Sequence, residues 1–389
     1  MSPGILPAHS LTPLTDLDSL CSALLFAYFR THTPPHTLHI PLSNLPRADL
    51  ALRPELNAVL NPAGLKPEDL VTLSDLPREG LDPQDTRWLL VDHNVLTGDL
   101  AAPFSNLIVG CIDHHDDEGV IPHSLPADQP RIFAKCGSCM SLVLDHCQPT
   151  WDRLASDPAA ACDDGTPAAA CDAHLARVAL APVLIDTTNL TSRDKTTDWD
   201  RRAVALAESR LANSTGEEGY DRGAYYDRIS ALKEQILGLS YRDVLRKDYK
   251  RWTEGELSVG ISTVVRGFAY ALAEVGDKDK GKFLEALKGW AGEQRLDVAA
   301  VMTVSKPDGV FTRELLVWGL NEEGVKVVRQ FGRKFRETLG LETWERGELD
   351  GGGEEEAEWR VCWRQTRTEH SRKQVAPMMR EAMKESSRL

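Results

Sequence analysis

Apolar residues come in short bursts along this chain, and their spacing changes from burst to burst. Residues 20–29 hold apolar side chains at helical spacing and predict a helix. The runs 38–41, 88–91 and 107–112 are too short for helices and predict strands. Helical spacing returns over 142–147 and 174–181. Strands that alternate with helices imply a mostly parallel sheet. From 191 to 246 the chain turns polar and charged, with a helical pattern over 224–239. Beyond it, 257–265, 296–304 and 313–318 read as strands. Residues 282–293 and 324–339 read as helices, and a last helix opens at Ser371. The stretch 149–172, rich in Ala, Asp and Pro, reads as a surface insertion. Residues 347–358 read as an acidic, glycine-rich loop. The predicted class is α/β: an N-terminal domain over 1–195 with a mostly parallel sheet flanked by helices, a helical connector over 196–246, and a smaller C-terminal α/β domain over 247–389. A length of 389 residues also favours two cores over one.

Several of the apolar runs end in acid. Val91-Asp92-His93-Asn94 closes one, and Cys111-Ile-Asp113-His114-His115-Asp116-Asp117 closes the next. Asp186 ends the run 181–185, and Asp16-Leu-Asp18-Ser19 precedes the first helix. In parallel sheets ligands bind beyond the carboxyl ends of the strands. Hard divalent metals take carboxylate oxygens, and imidazole suits several transition metals. Each motif alone has a plainer reading. Asp16 and Asp18 suit a helix N-terminus, where aspartate caps and favours the dipole. Asp92 suits a strand-end turn. Together, in order, the four look like one site.

Composition narrows the function. Apolar content of 42% and charged content of 27% suit a soluble globular protein. No apolar run approaches the roughly 18 residues of a membrane span. The first residues lack the basic start and apolar stretch of a signal peptide. Eight cysteines in so long a chain do not form a disulfide scaffold, so a reducing, cytoplasmic setting is expected. A net charge of −14 argues against a nucleic-acid binder. Cys136-Gly-Ser-Cys139 lacks the second ligand pair of a structural zinc site and reads as a helix start. His32, His36 and His39 lie in a proline-interrupted stretch that reads as a solvated loop.

The ordered set Asp16-x-Asp18, Asp92, Asp113-His114-His115 and Asp186 resembles the DHH phosphoesterase superfamily. Asp248-Tyr249-Lys250 and Ser371-Arg372-Lys373-Gln374 resemble the companion domain of family II inorganic pyrophosphatases and eukaryotic exopolyphosphatases. The 247–250 and 295–298 segments look most like fungal cytosolic exopolyphosphatases, with prune-type phosphodiesterases as relatives. The resemblance implies removal of terminal phosphate from inorganic polyphosphate, or another small phosphoanhydride, by a water activated between two divalent metals, manganese, magnesium or cobalt. It leaves pyrophosphatase, prune-like phosphodiesterase and a non-catalytic relative as alternatives. By the same resemblance Asp92 bridges the metals, Asp16 serves one, and Asp18, His114 and Asp186 serve the other. His115 faces the substrate phosphate, and Asp113 orients an imidazole. Lys250, Arg372 and Lys373 bind substrate. Arg372 offers a fork suited to a bidentate phosphate contact. These cations also answer a charge problem, since an anionic substrate must meet a locally positive site on an acidic protein. The implied partner is the small anion alone, with no nucleic acid and no membrane. His93, Asp116 and Asp117 match no ligand of the family. One departure stands out. Where the family carries His or Asn four residues before its first aspartate, this chain has Thr12, in a proline-bearing segment that predicts a degenerate or missing first strand.

Overall fold

The computed structural model describes residues 6–10, 16–76, 82–96, 100–156, 168–213 and 219–386. The chain folds as two compact units, Met1–Lys233 and Glu234–Leu389.

The first unit holds strands β1 (Leu6–Ser10), β2 (Ile40–Ser43), β3 (Val71–Thr72), β4 (Thr86–Val91), β5 (Ile108–Asp113) and β6 (Arg131–Phe133). Its helices are α1 (Leu17–Thr31), α2 (Pro54–Leu60), α3 (Ala101–Phe104), α4 (Cys139–Ser156), α5 (Ala168–Asp186), α6 (Asp198–Ala212) and α7 (Arg222–Lys233). The sheet order is β3-β2-β1-β4-β5-β6, and every pairing is parallel. The order reverses direction between β1 and β4, so a crevice opens at their carboxyl ends. Residues along β4 alternate between two cores, as strand geometry requires. Leu89 and Val91 face one with α1, α4, α5 and α6, while Trp88 and Leu90 face the other with Phe104 and Ile108.

Strand β1 is present, which corrects the expectation of a degenerate or missing first strand. It lies centrally, and proline is ordinarily confined to sheet edges. Pairing explains the tolerance: β2 joins only from Ala8 onward, so Pro7 pairs with β4 alone. Thr12 lies outside the described residues. Helices α6 and α7, expected in a connector, pack instead with the first unit through Ala203, Val204, Ala207, Leu211 and Ile229.

The second unit contains α8 (Tyr241–Lys247), β7 (Tyr249–Glu254), β8 (Leu257–Val264), α9 (Phe268–Glu274), α10 (Lys280–Glu293), β9 (Val298–Thr303), β10 (Arg313–Gly319), α11 (Glu322–Leu339), β11 (Leu341–Thr343), β12 (Gly351–Gly352), β13 (Trp359–Gln365) and α12 (Arg372–Ser386). The sheet runs β11-β13-β10-β9-β8-β7, with β12 beside β13. Only β8 and β9 pair in parallel. Val298, Ala300 and Met302 of β9 face α11 and α12, and Ala299 and Val301 face the core shared with α8, α9 and α10.

Among the described residues no helix is long and apolar enough to cross a membrane. Cys21, Cys111, Cys136, Cys139, Cys147 and Cys362 are free thiols, but Cys171 is disulfide-bonded, a departure from the expected reduced set.

Candidate metal centre

The candidate carboxylates and imidazoles of the first unit gather at the carboxyl edge of its sheet, on both sides of the β1/β4 reversal. Asp92 follows β4 directly and takes a left-handed φ of 64°. Its amide donates to Ile112 O at 3.0 Å, which ties the turn to β5. A non-glycine residue held in this conformation is strained, and such residues cluster at functional sites. β5 ends in Asp113, and His114 and His115 follow.

Asp92, His114 and His115 each place one ligand atom within 4.8 Å of the others. His114 Nε2 lies 3.1 Å from Asp92 Oδ1, and His115 Nδ1 lies 3.9 Å from it. His114 Nδ1 stands 3.0 Å from the Cys136 carbonyl. A carbonyl only accepts, so Nδ1 carries the proton and Nε2 is directed at Asp92. His115 Nδ1 donates to Asp113 Oδ1 at 2.8 Å. Asn94 Nδ2 donates to the other Asp113 oxygen at 2.6 Å. Burial works to raise the Asp113 carboxyl, but these bonds and the His115 charge hold it below the usual carboxylate range. The ion thus held fixes the His115 ring and leaves its Nε2 to act.

Asp16 and Asp18 take the helix N-terminus that their residue type suits. Asp16 is the N-cap of α1: its Oδ1 accepts from the amides of Asp18 and Ser19. Asp18 sits in the first turn of that helix and is 2% exposed. The capping role and a place beside the site therefore coincide. Asp18 Oδ1 accepts from Ser138 Oγ at 2.8 Å, Met140 N at 3.0 Å and Ser22 Oγ at 3.1 Å, and Oδ2 accepts from Cys139 N at 2.7 Å. Asp186 ends α5, just before three successive left-handed residues, Thr188, Asn189 and Leu190. Lys233 Nζ lies 4.0 Å from its Oδ1.

Electrostatics join these groups. Burial, then the charges of Asp92 and Asp186, push the Asp18 carboxyl well above its usual range. Burial raises Asp186 to about 6, with Asp16 and Asp92 adding and Lys233 opposing. Asp92 goes the other way. Burial opposes its ionisation, but contact with His114 and the nearby His93 and His115 rings hold it low. His114 is pushed up against its own burial by Asp92, Cys136 and Asp18. Asp92 and His114 thus form a buried carboxylate–imidazolium pair.

Such a donor set fits a divalent cation. Asp92 Oδ1 and His93 Nδ1 are buried without a well-angled hydrogen bond, and several carboxylates crowd together at a cost that a cation would relieve. The close cluster comprises Asp92, His114 and His115; Asp16, Asp18 and Asp186 stand within electrostatic reach of it. His93 stacks on His115 with ring centroids 5.5 Å apart. Asp116 and Asp117 pair with Lys135 and Arg131 at the surface.

Sequence reasoning missed Ser19, whose hydroxyl donates to Asp92 Oδ2, and Asn94. Asn94 stood two residues beyond Asp92, which was its one available signal. In the second unit Lys250 lies on β7, and Arg372 opens α12 with Lys373 exposed beside it. Arg372 Nη2 donates to Asp248 Oδ1 at 2.6 Å, and Nη1 to the Asp248 carbonyl at 2.9 Å. Part of the expected phosphate fork is therefore engaged within the protein.

A parallel sheet with a carboxylate–imidazole cluster at its reversal point, joined to a second unit on a mixed sheet, defines a class of two-domain α/β proteins with a candidate metal site. Comparison with known proteins makes the class specific. Residues 227–382 match the DHHA2 domain. The chain is 32% identical over 371 residues to the "Putative exopolyphosphatase" of Schizosaccharomyces pombe, spanning 95% of this chain and 89% of that one. It is 22% identical over 292 residues to human "Exopolyphosphatase PRUNE1", spanning 74% of this chain and 57% of that protein. A crystal structure of a "putative family II inorganic pyrophosphatase" from Methanococcus jannaschii shares the fold, with a TM-score of 0.52 and 18% identity, over 95% of this chain and 97% of that one. The chain belongs to the exopolyphosphatase family of the DHH superfamily.

Proposed function

We propose that this phosphohydrolase is a metal-dependent exopolyphosphatase that removes terminal phosphate from inorganic polyphosphate. The observation that carries the reading is the convergence of Asp92, His114 and His115 within 4.8 Å at the sheet reversal. The similarity to a protein named as an exopolyphosphatase selects the substrate class. Asp92, Asp18, His114, Asp186 and Asp16 would hold two divalent metals. When bound, these would supply Lewis acidity and lower the pKa of a water.

The chain's own residues account for the rest. Asp113 and Asn94 fix the His115 ring, which presents Nε2 as a proton donor to a phosphate oxygen. Ser19 and the backbone at Ile112 hold Asp92 in place. Lys250, Arg372 and Lys373 of the second unit bind substrate phosphates by charge.

The test is phosphate release from polyphosphate, pyrophosphate and a cyclic nucleotide with manganese, magnesium or cobalt added. Release from polyphosphate that a chelator abolishes supports the reading. Preference for pyrophosphate makes the chain a pyrophosphatase, and preference for the cyclic nucleotide makes it a phosphodiesterase. No release from any of them refutes a hydrolytic role.

A further inference from the structure

The Cys136-Gly-Ser-Cys139 segment needs an explanation that zinc does not provide. It touches the candidate centre in three ways. The Cys136 carbonyl accepts from His114 Nδ1 at 3.0 Å. Ser138 Oγ and the amides of Cys139 and Met140 donate to Asp18. Gly137 packs so tightly that an added Cβ would lie 2.5 Å from Thr187 Cγ2 and 3.0 Å from the Lys195 carbonyl. Thr187 is the residue after Asp186. The segment therefore contacts two candidate ligands and the neighbour of a third.

The segment is itself pinned by one buried carboxylate, Asp200, which is 0% exposed. Gly137 N donates to both Asp200 oxygens at 3.1 and 3.0 Å, and Ser138 N to Oδ1 at 3.3 Å. Ser141 Oγ, in the first turn of α4, donates to Oδ1 at 2.7 Å. The same carboxylate closes the capping box of α6: Thr197 N and Thr197 Oγ1 donate to Oδ2 at 2.7 and 2.8 Å. A capping box alone needs only the Thr197 contacts. The additional donors all come from the segment that holds Asp18 and His114.

We infer that Asp200 is a positioning residue for the metal centre, which it serves by fixing the 136–141 segment that orients Asp18 and His114. The inference rests on the metal-binding reading above. Each of these hydrogen-bond partners of Asp200 is a donor, so a group that accepts on both oxygens fits. An amide in its place turns an NH2 toward one set of donors and releases either the segment or the cap. Groups that hydrogen-bond directly to metal ligands, as the segment does to Asp18 and His114, typically change metal affinity roughly 10- to 100-fold, and Asp200 acts through them.

Manganese titrations of the folded chain by calorimetry test this, alongside melting temperatures without metal. Asp200→Asn is expected to weaken manganese binding at least about tenfold. Thr197→Ala removes the cap hydroxyl but leaves the segment's donors in place; it should lower the melting temperature and leave affinity within about twofold. Ser141→Ala removes a single donor and should weaken binding by a smaller factor. It keeps the test valid if Asp200→Asn does not fold. Wild-type affinity in Asp200→Asn, or in Ser141→Ala where that is the readable variant, overturns the inference while the metal site stands. Loss of affinity in Thr197→Ala equal to that in Asp200→Asn also overturns it, since α6 stability would then be the cause. If the wild-type chain takes up no manganese, the metal reading itself fails and this inference with it.

Discussion

Replacing Arg372 by alanine separates two roles that the sequence assigns to one. Its guanidinium is 15% exposed and is fixed by Asp248, through the carboxylate at 2.6 Å and the carbonyl at 2.9 Å, with Ile261 O more distant at 3.4 Å. These contacts tie the start of α12 to the entry of β7 and to β8. A hydrogen bond to a charged group contributes about 1.5–3 kcal/mol net. Asp248 is 39% exposed, so water recovers part of its loss, and exposed ion pairs are worth little. The Asp248 carbonyl also keeps a second donor, Thr263 N, at 2.8 Å. The set should therefore be worth about 2 kcal/mol, near the middle of the range for one charged bond. For a domain of this size that corresponds to a fall of roughly 4–8 °C in the melting temperature of the second unit. Lys373 is exposed and its replacement should cost less than about 0.5 kcal/mol. Scanning calorimetry of Arg372→Ala and Lys373→Ala, both without metal, reads the difference. Both variants should also bind polyphosphate more weakly. Equal melting temperatures for the two would refute the claim that Arg372 is a strut as well as a substrate contact.

Asp92→Asn should cut manganese affinity by at least about tenfold and abolish phosphate release, as titration and a phosphate assay would record. Asp186→Asn should do the opposite to the metal-free fold. A carboxyl raised to about 6 binds protons more tightly when folded, so its stabilisation is present in acid and lost as pH rises from about 4 through 6. At pH 7 the amide should therefore raise metal-free stability by about 3 kcal/mol, while weakening metal uptake; a lower melting temperature for this variant would contradict the electrostatics. Metal uptake should release protons, because Asp186 and His114 must lose theirs to serve as ligands. Calorimetry in buffers of different ionisation enthalpy should give a heat that varies with the buffer, and affinity should fall as pH drops below about 6.

Much of the fold was legible because burial leaves a pattern. β4 and β5 are apolar runs that end at Asp92 and Asp113, and their covered faces force that composition. β13 was not foreseen, because Trp359-Arg-Val-Cys-Trp-Arg-Gln365 interleaves arginines with its apolar residues and follows an acidic loop. α6 was placed in a connector and not in the first core for a related reason. Its charged first turn, Asp198-Trp-Asp200, hides a narrow apolar stripe of Ala203, Val204, Ala207 and Leu211. β1 was discounted for the prolines of its segment, since nothing local reveals which neighbour a strand residue will pair with. At the site, the carboxylates and imidazoles could be named because residue type carries chemistry. Their supports could not. Ser19, Asn94 and Asp200 are ordinary helix or turn residues until the chain folds, and their partners lie as far as 73 positions away.

Manganese located by anomalous diffraction in crystals of the chain tests the central claim most directly. The account predicts metal bound by Asp92 Oδ1 and His114 Nε2, with the carboxylates of Asp18 and Asp186 turned toward it. Manganese bound only elsewhere, or none at saturating concentration, would contradict it.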